Sequence, residues 1–169
     1  MRRHQLAFTA LILALASLTA ALAVSPTRAG IIPNSYVVDT TSDAVLTNCQ
    51  ALMANDCSLR GAITNANADA AADTITFNSG VFPLATPATI TLGSAFPNLS
   101  AGLDTISATS RGVILDGTGE PSAFVCLGIS SDGNTVRGLQ LTDCSIGINI
   151  TGAGDSNTIG PDNTVYDNT

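Results

Sequence analysis

Residues 132–159 read DGNTVRGLQLTDCSIGINITGAGDSNTI, and the two ends of this stretch match. DGNTV at 132–136 returns as DSNTI at 155–159, an offset of 23 residues. The same offset carries Val125 to Ile148 and Leu127 to Ile150. Run backwards, it carries Val136 to Val113, Val113 to Ile90 and Leu115 to Leu92. Leu141 meets Val165 only at an offset of 24, so one corner gains a residue. The apolar segments ATITLG, GVILDG, FVCLGI, NTVRGLQL, SIGINI and NTIG are each bounded by Gly, Asn, Asp or Pro, as short strands are. A period in the low twenties with several strands per period marks a solenoid, because each coil buries its aliphatic face only under the next. We therefore expect an all-β parallel β-helix. Ile90, Val113, Val136 and Ile159 would form an internal ladder, and Asn134 and Asn157 would stack at a corner. The competing arrangement, a β-sandwich, would show varied spacings and two-residue turns instead of a constant offset.

Upstream, CSLRGAITNANADAAADTITF (57–77) begins with helical spacing and ends with strand alternation. Ser58 stands at an N-cap position, and Leu59, Ala62, Ile63 and Ala66 make one apolar face. This predicts a short helix, ended by Asn67 to Asp73, that caps the first coil over residues 58–68. DTITF then alternates, with Ile75 and Phe77 on one side and Thr74 and Thr76 on the other, and YVVD at 36–39 reads as an earlier strand.

Cys57-Ser58-Leu59-Arg60-Gly61-Ala62-Ile63, with Ala66-Asn67 and Asp73 to Phe77 after it, resembles bacterial exported proteins named for a CSLREA motif. NTVRGLQLTDC and GINITGAGDSNTIGPDNTV look like the right-handed parallel β-helix repeats that often follow that motif. The resemblance spans residues 36–169. It implies a right-handed solenoid on a secreted or surface protein, and it implies no particular activity. The motif's glutamate is replaced by Gly61. With Ser58 as N-cap, position 61 is N3, where a glutamate would close a capping box on the Ser58 N–H. Its loss to glycine is expected to cost roughly 1–2 kcal/mol, which a capping role tolerates and a catalytic acid does not.

The chain opens with a basic MRRH, an apolar run from Leu6 to Val24, and small-x-small sites at Ala21–Ala23 and Thr27–Ala29. Residues 1–29 are thus expected to be a secretory signal peptide, with a retained membrane anchor as the competing reading. Residues 30–77 form the lead-in and cap, and 78–169 the coils. NTVYDNT ends within a coil, so the solenoid is expected to be incomplete or covered by a partner.

Residues 30–169 hold no lysine, no histidine, three arginines and thirteen acids, a net charge of −10. Such a surface repels phosphate backbones and anionic lipids, so no nucleic-acid partner is expected. Ser-His-Asp, Cys-His and lysine-based mechanisms are excluded for this part of the chain. Asp116-Gly117-Thr118-Gly119 reads as a turn, not a phosphate loop, and no small-molecule cofactor is implied.

Four cysteines in an exported chain suggest disulfides, with three pairings open. Cys49 and Cys57 lie close enough to close a loop before the helix, which leaves Cys126 with Cys144 by default. Cys49, Cys57, Ser58, Cys126 and Cys144 are read as structural, and no catalytic residue is assigned. Asp132 and Asp155 repeat at the coil period and would lie about 5 Å apart, near enough to hold Ca²⁺ or act on a glycosidic bond. Each equally starts a turn and caps nearby N–H groups. Asp116 and Asp143 stand on the same footing; resemblance to β-helix lyases implies an Arg or Lys base, for which Arg111 and Arg137 are available near the coils. The leading expectation is a structural or adhesive surface protein, with a surface polysaccharide or a protein as partner. The runner-up is a polysaccharide-active enzyme, pectate-lyase-like or glycosidase-like.

Overall fold

The structure, a computed structural model, describes residues 32–49, 53–119, 124–152 and 154–168. The expected signal segment, residues 1–29, lies outside them. The elements run β1 (Ser35–Val38), α1 (Leu59–Ala66), β2 (Thr74–Phe77), β3 (Ala88–Thr91), β4 (Thr105–Ser107), β5 (Val113–Asp116), β6 (Val125–Ile129), β7 (Thr135–Arg137), β8 (Leu139–Thr142), β9 (Ile146–Ile150), β10 (Thr158–Ile159) and β11 (Thr164–Tyr166). The strands fall into three sheets, ordered β1-β2-β4-β7-β10, β11-β8-β5-β3 and β6-β9, and every strand pairing is parallel.

The core is built in columns across these sheets. Tyr36, Ile75, Ile106, Val136 and Ile159 stand opposite one another in the first sheet. Ile90, Leu115, Leu141 and Val165 do so in the second. Ile75, Ile106, Val136, Ile90, Leu115 and Leu141 are fully buried. Each such side chain contributes about 1.5–3 kcal/mol relative to exposure. The last strand of each column is less covered, and Ile159 and Val165 are exposed.

This arrangement corrects the expected fold. The strands are two to five residues long and the sheets small, and the chain is not the regular right-handed β-helix solenoid that the repeat suggested. The constant offset is also absent. Thr135 pairs with Thr158, 23 residues on, but Ser35 pairs with Thr74 and Val125 with Ile146. Ile90 faces Leu115 rather than Val113, and Leu127 faces Ile148 rather than Ile150. Both errors are of two residues, which is one full strand repeat, so the apolar pattern looks the same in either register. The expected ladder also crossed sheets, since Val113 lies in β5 and Val136 in β7. Leu141 does face Val165, and Val136 does face Ile159.

One expected strand, NTVRGLQL, is two strands in different sheets. Gly138 makes the corner with φ +75°, where a side chain is strained, and a Cβ there would press on the Ala108 backbone. The three-residue β4 had no counterpart among the expected strands.

Helix α1 forms as its sequence directs. Leu59, Ala62, Ile63 and Ala66 are fully buried, and Ser58 Oγ accepts the Gly61 N–H at 2.9 Å. Gly61, however, is not a lost capping residue. A Cβ at this position would overlap the Leu46 carbonyl. That same carbonyl accepts the Ser58 N–H at 3.2 Å, the donor a capping-box glutamate would serve. The loop backbone thus replaces the acid, and glycine makes room for it. Helix propensity alone favours Gly61→Ala by about 1 kcal/mol. We expect the opposite sign, a loss of roughly 1–3 kcal/mol in urea unfolding, because the obstacle is backbone. A stabilised Gly61→Ala protein would show that the Leu46 loop yields without cost.

Candidate functional site

The residues singled out from sequence go to separate places. Cys49 is bonded to Cys57 and Cys126 to Cys144, with Cα separations of 4.4 and 5.7 Å, both within the usual disulfide range. Cys57, Cys126 and Cys144 are buried. Ser58 is fully buried, and its hydroxyl donates to Ala44 O while accepting from Gly61 N and Leu46 N, so it has no capacity left for a substrate. Asp116 Oδ1 accepts the Thr118 N–H at 2.8 Å and shapes the turn at Gly117–Gly119. Asp132 Oδ1 accepts the Asp155 N–H at 2.8 Å, and Asp155 O accepts the Gly133 N–H at 3.0 Å. Asp143 accepts from the Thr142 hydroxyl. These acids act in turns, and among the described residues no three His, Cys, Asp or Glu side chains gather as a metal ion requires.

Arg60 received no role from sequence, yet it ties the helix to two loops. Its guanidinium pairs with Asp43 at 2.8 Å, donates to Asp43 O, Ser94 O and Ala95 O, and lies 4.9 Å from the centre of the Phe96 ring. Asp43 in turn accepts the Gly93 N–H at 2.9 Å. Both side chains are largely buried and well bonded, the condition under which a buried pair holds.

A row of side chains runs along the starts of the first sheet. Asp73 Oδ1 accepts from Asn34 N (2.6 Å), Asp104 Oδ1 from Asp73 N (3.1 Å), Asn134 Oδ1 from Asp104 N (3.1 Å) and Asn157 Oδ1 from Asn134 N (2.7 Å). Asn134 Nδ2 also donates to Asn157 Oδ1 at 3.0 Å, the expected corner stack. Reasoning from sequence found only these two members. The signal for the rest was present: DTIT at 73, DTIS at 104, NTVR at 134 and NTIG at 157 are one motif.

Asp73 and Asp104 are fully buried, and the Oδ2 atom of each has no partner among the described residues. Burial pushes the Asp104 carboxyl up to about 7; the Asp73 N–H opposes this, and the charges of Asp73 and Asp69 add to it. The Tyr36 phenol is raised as well, first by burial and then by Asp73 and Asp69.

An open groove lies at the corner between the first two sheets. It has a volume of about 340 Å³ and is lined by Thr109, Ser110, Arg111, Gln140, Asp162 and Thr164, with Leu84, Ala108 and Gly138. Arg111 is held by bonds from Nε to Phe77 O and from Nη1 to Ser110 O. Arg137 Nε donates to Ser107 Oγ, which reaches Thr109 Oγ1. Asp116, Asp132 and Asp155 do not line this groove.

No family model, curated protein or solved structure matches the chain.

The buried acid of the row gives a pH dependence of fixed sign. Between pH 3.8 and about 7 the folded chain keeps a proton on Asp104 that the unfolded chain releases. Stability from this group is therefore full below that window, falls as pH rises through it, and is flat above. Asp104→Asn keeps the Oδ1 acceptor and removes the titration. It is expected to raise the unfolding midpoint at pH 8 and to flatten the pH 4–7 slope. An unchanged slope would place the proton uptake elsewhere.

Proposed function

We propose that the chain is an exported, disulfide-bonded module of the CSLREA-motif type with a structural or adhesive role at the outer face of the cell. The observation that carries this reading is the disulfide pair. All four cysteines are bonded, three of them buried, which is compatible with an oxidising, extracellular environment. The basic-apolar N-terminus supports the same compartment. Among the described residues no helix is long and apolar enough to cross a membrane.

The site chemistry favours contact over turnover. A glycosidase needs two carboxylates flanking the bond, and a lyase an acid-base set in one cleft. The groove at Arg111 brings one carboxylate, Asp162, to one arginine.

Two measurements test the reading. A phosphatase reporter that works only after export, fused behind residue 169, should be active with the native N-terminus and inactive without residues 1–29. Labelled purified protein should also bind the surface of the producing cells. An inactive native fusion would reject export, and a failure to bind cells would reject adhesion. For stability, Cys126→Ser with Cys144→Ser should cost about 2–4 kcal/mol in urea unfolding, and reductant treatment of the native protein, which also opens Cys49–Cys57, should cost at least as much.

A further inference from the structure

Beyond residue 30 the chain has three cations to set against thirteen acids, and their placement is uneven. Arg60 is consumed by Asp43 and by loop carbonyls. The other two stand at a single corner. Arg111 lines the groove, and Arg137 reaches it through Ser107 and Thr109. Neither forms an ion pair among the described residues. Arg111 uses Nε and Nη1 within the chain, and its Nη2 makes no bond to a described residue. The Gln140 side chain likewise bonds no described residue and faces the same space.

A half-occupied guanidinium in an acidic protein is a local positive site that draws anions. Its planar donors suit an oxyanion, a carboxylate above all. The rest of the lining narrows the class. Gln140 and Thr164 offer both donors and acceptors, and Asp162 only accepts. Asp162 favours hydroxyl donors and repels dense negative charge, which weighs against phosphate and sulfate esters. A sugar unit that carries one carboxylate among several hydroxyls matches this lining.

We propose that this groove binds a carboxylated sugar, the uronate unit of an acidic polysaccharide, with Arg111 on the carboxylate and Gln140, Thr164 and Asp162 on the ring hydroxyls. The proposal rests on the adhesive reading above and names its ligand. A peptide carboxylate meets Arg111 equally but brings no ring of hydroxyls for Gln140, Thr164 and Asp162.

The test is calorimetric titration of the full, disulfide-bonded chain with oligoglucuronate, with its carboxyl-reduced counterpart, and with a short acidic peptide. Oligoglucuronate should bind. The reduced oligomer and the peptide should bind at least tenfold more weakly. Arg111→Gln should lose at least tenfold, and Arg111→Lys should recover part of that loss. Arg111 also bonds Phe77 O, so thermal melting accompanies each variant. Should Arg111→Gln fail to fold, Gln140→Ala serves instead, with an expected loss of threefold or more. Equal binding of the acid and reduced oligomers, tighter peptide binding, no oligoglucuronate binding, or indifference to the folded variants would each overturn the proposal. Cell binding that survives Arg111→Gln would keep the adhesive reading and reject this ligand. Oligoglucuronate binding without any cell binding would do the reverse.

Discussion

A strand that stacks on its neighbour in parallel leaves backbone N–H groups at its start with no carbonyl to meet, and inside a protein each must find an acceptor. Here that acceptor is a side chain from the next strand's entry. Asp73, Asp104, Asn134 and Asn157 take the N–H groups of Asn34, Asp73, Asp104 and Asn134 in turn. The return bond is backbone: the N–H groups of Thr74, Thr105, Thr135 and Thr158 reach the carbonyls of Asn34, Asp73, Asp104 and Asn134. Each contact between strands is thus closed from both sides at one corner. The column of Ile75, Ile106 and Val136 begins two residues further along, and its register follows from that closure. Asn163 and Asn168 repeat the device later in the chain, accepting from Leu139 N and Cys144 N.

The same row holds a chemical asymmetry. Asn134 spends its amide nitrogen on Ser131 and Asn157, so both ends of its side chain are satisfied. The aspartates at the equivalent positions have a second oxygen with no partner among the described residues. An unpaired buried carboxylate oxygen is costly, and at Asp104 burial favours the protonated form. Arg60 and Asp43 show the alternative solution, a buried charge met on nearly every donor and acceptor. One fold therefore contains a fully answered ionic tie and a half-answered acidic pair.

Much of the local structure was legible in the sequence and much of the assembly was not. Helix α1, its Ser58 cap and its buried face follow from spacing alone, because a helix is decided by near neighbours. Strands β2, β3, β5 and β6 follow from alternation bounded by turn residues. The fold did not follow, because a two-residue change of register preserves the in-out pattern, and 23 is the spacing of one pair of strands only. The role of Gly61 is hidden for a related reason. Gly61 looked like a lost glutamate, whereas its purpose is to admit the Leu46 carbonyl, a contact between residues fifteen apart that no local rule contains. The Asn/Asp-Thr dipeptide at the entry to β2, β4, β7 and β10 is visible in the sequence, and it marks the true register better than the hydrophobic positions do.

Charge carries the argument from fold to surface. A chain with so few cations cannot scatter them without loss, since each guanidinium is also a potential tie. One is spent inside, where it joins α1 to the Asp43 and Ser94–Ala95 loops. Gly138 turns the chain sharply between β7 and β8, which sets Arg137 on one sheet and Gln140 on the next within the same corner. Arg111, just before β5, completes that corner from the strand's entry. The backbone turn that divides one apparent strand into two therefore also gathers the remaining positive charge. The groove is a consequence of how the sheets meet, which explains why none of the acids read from the sequence repeat belongs to it.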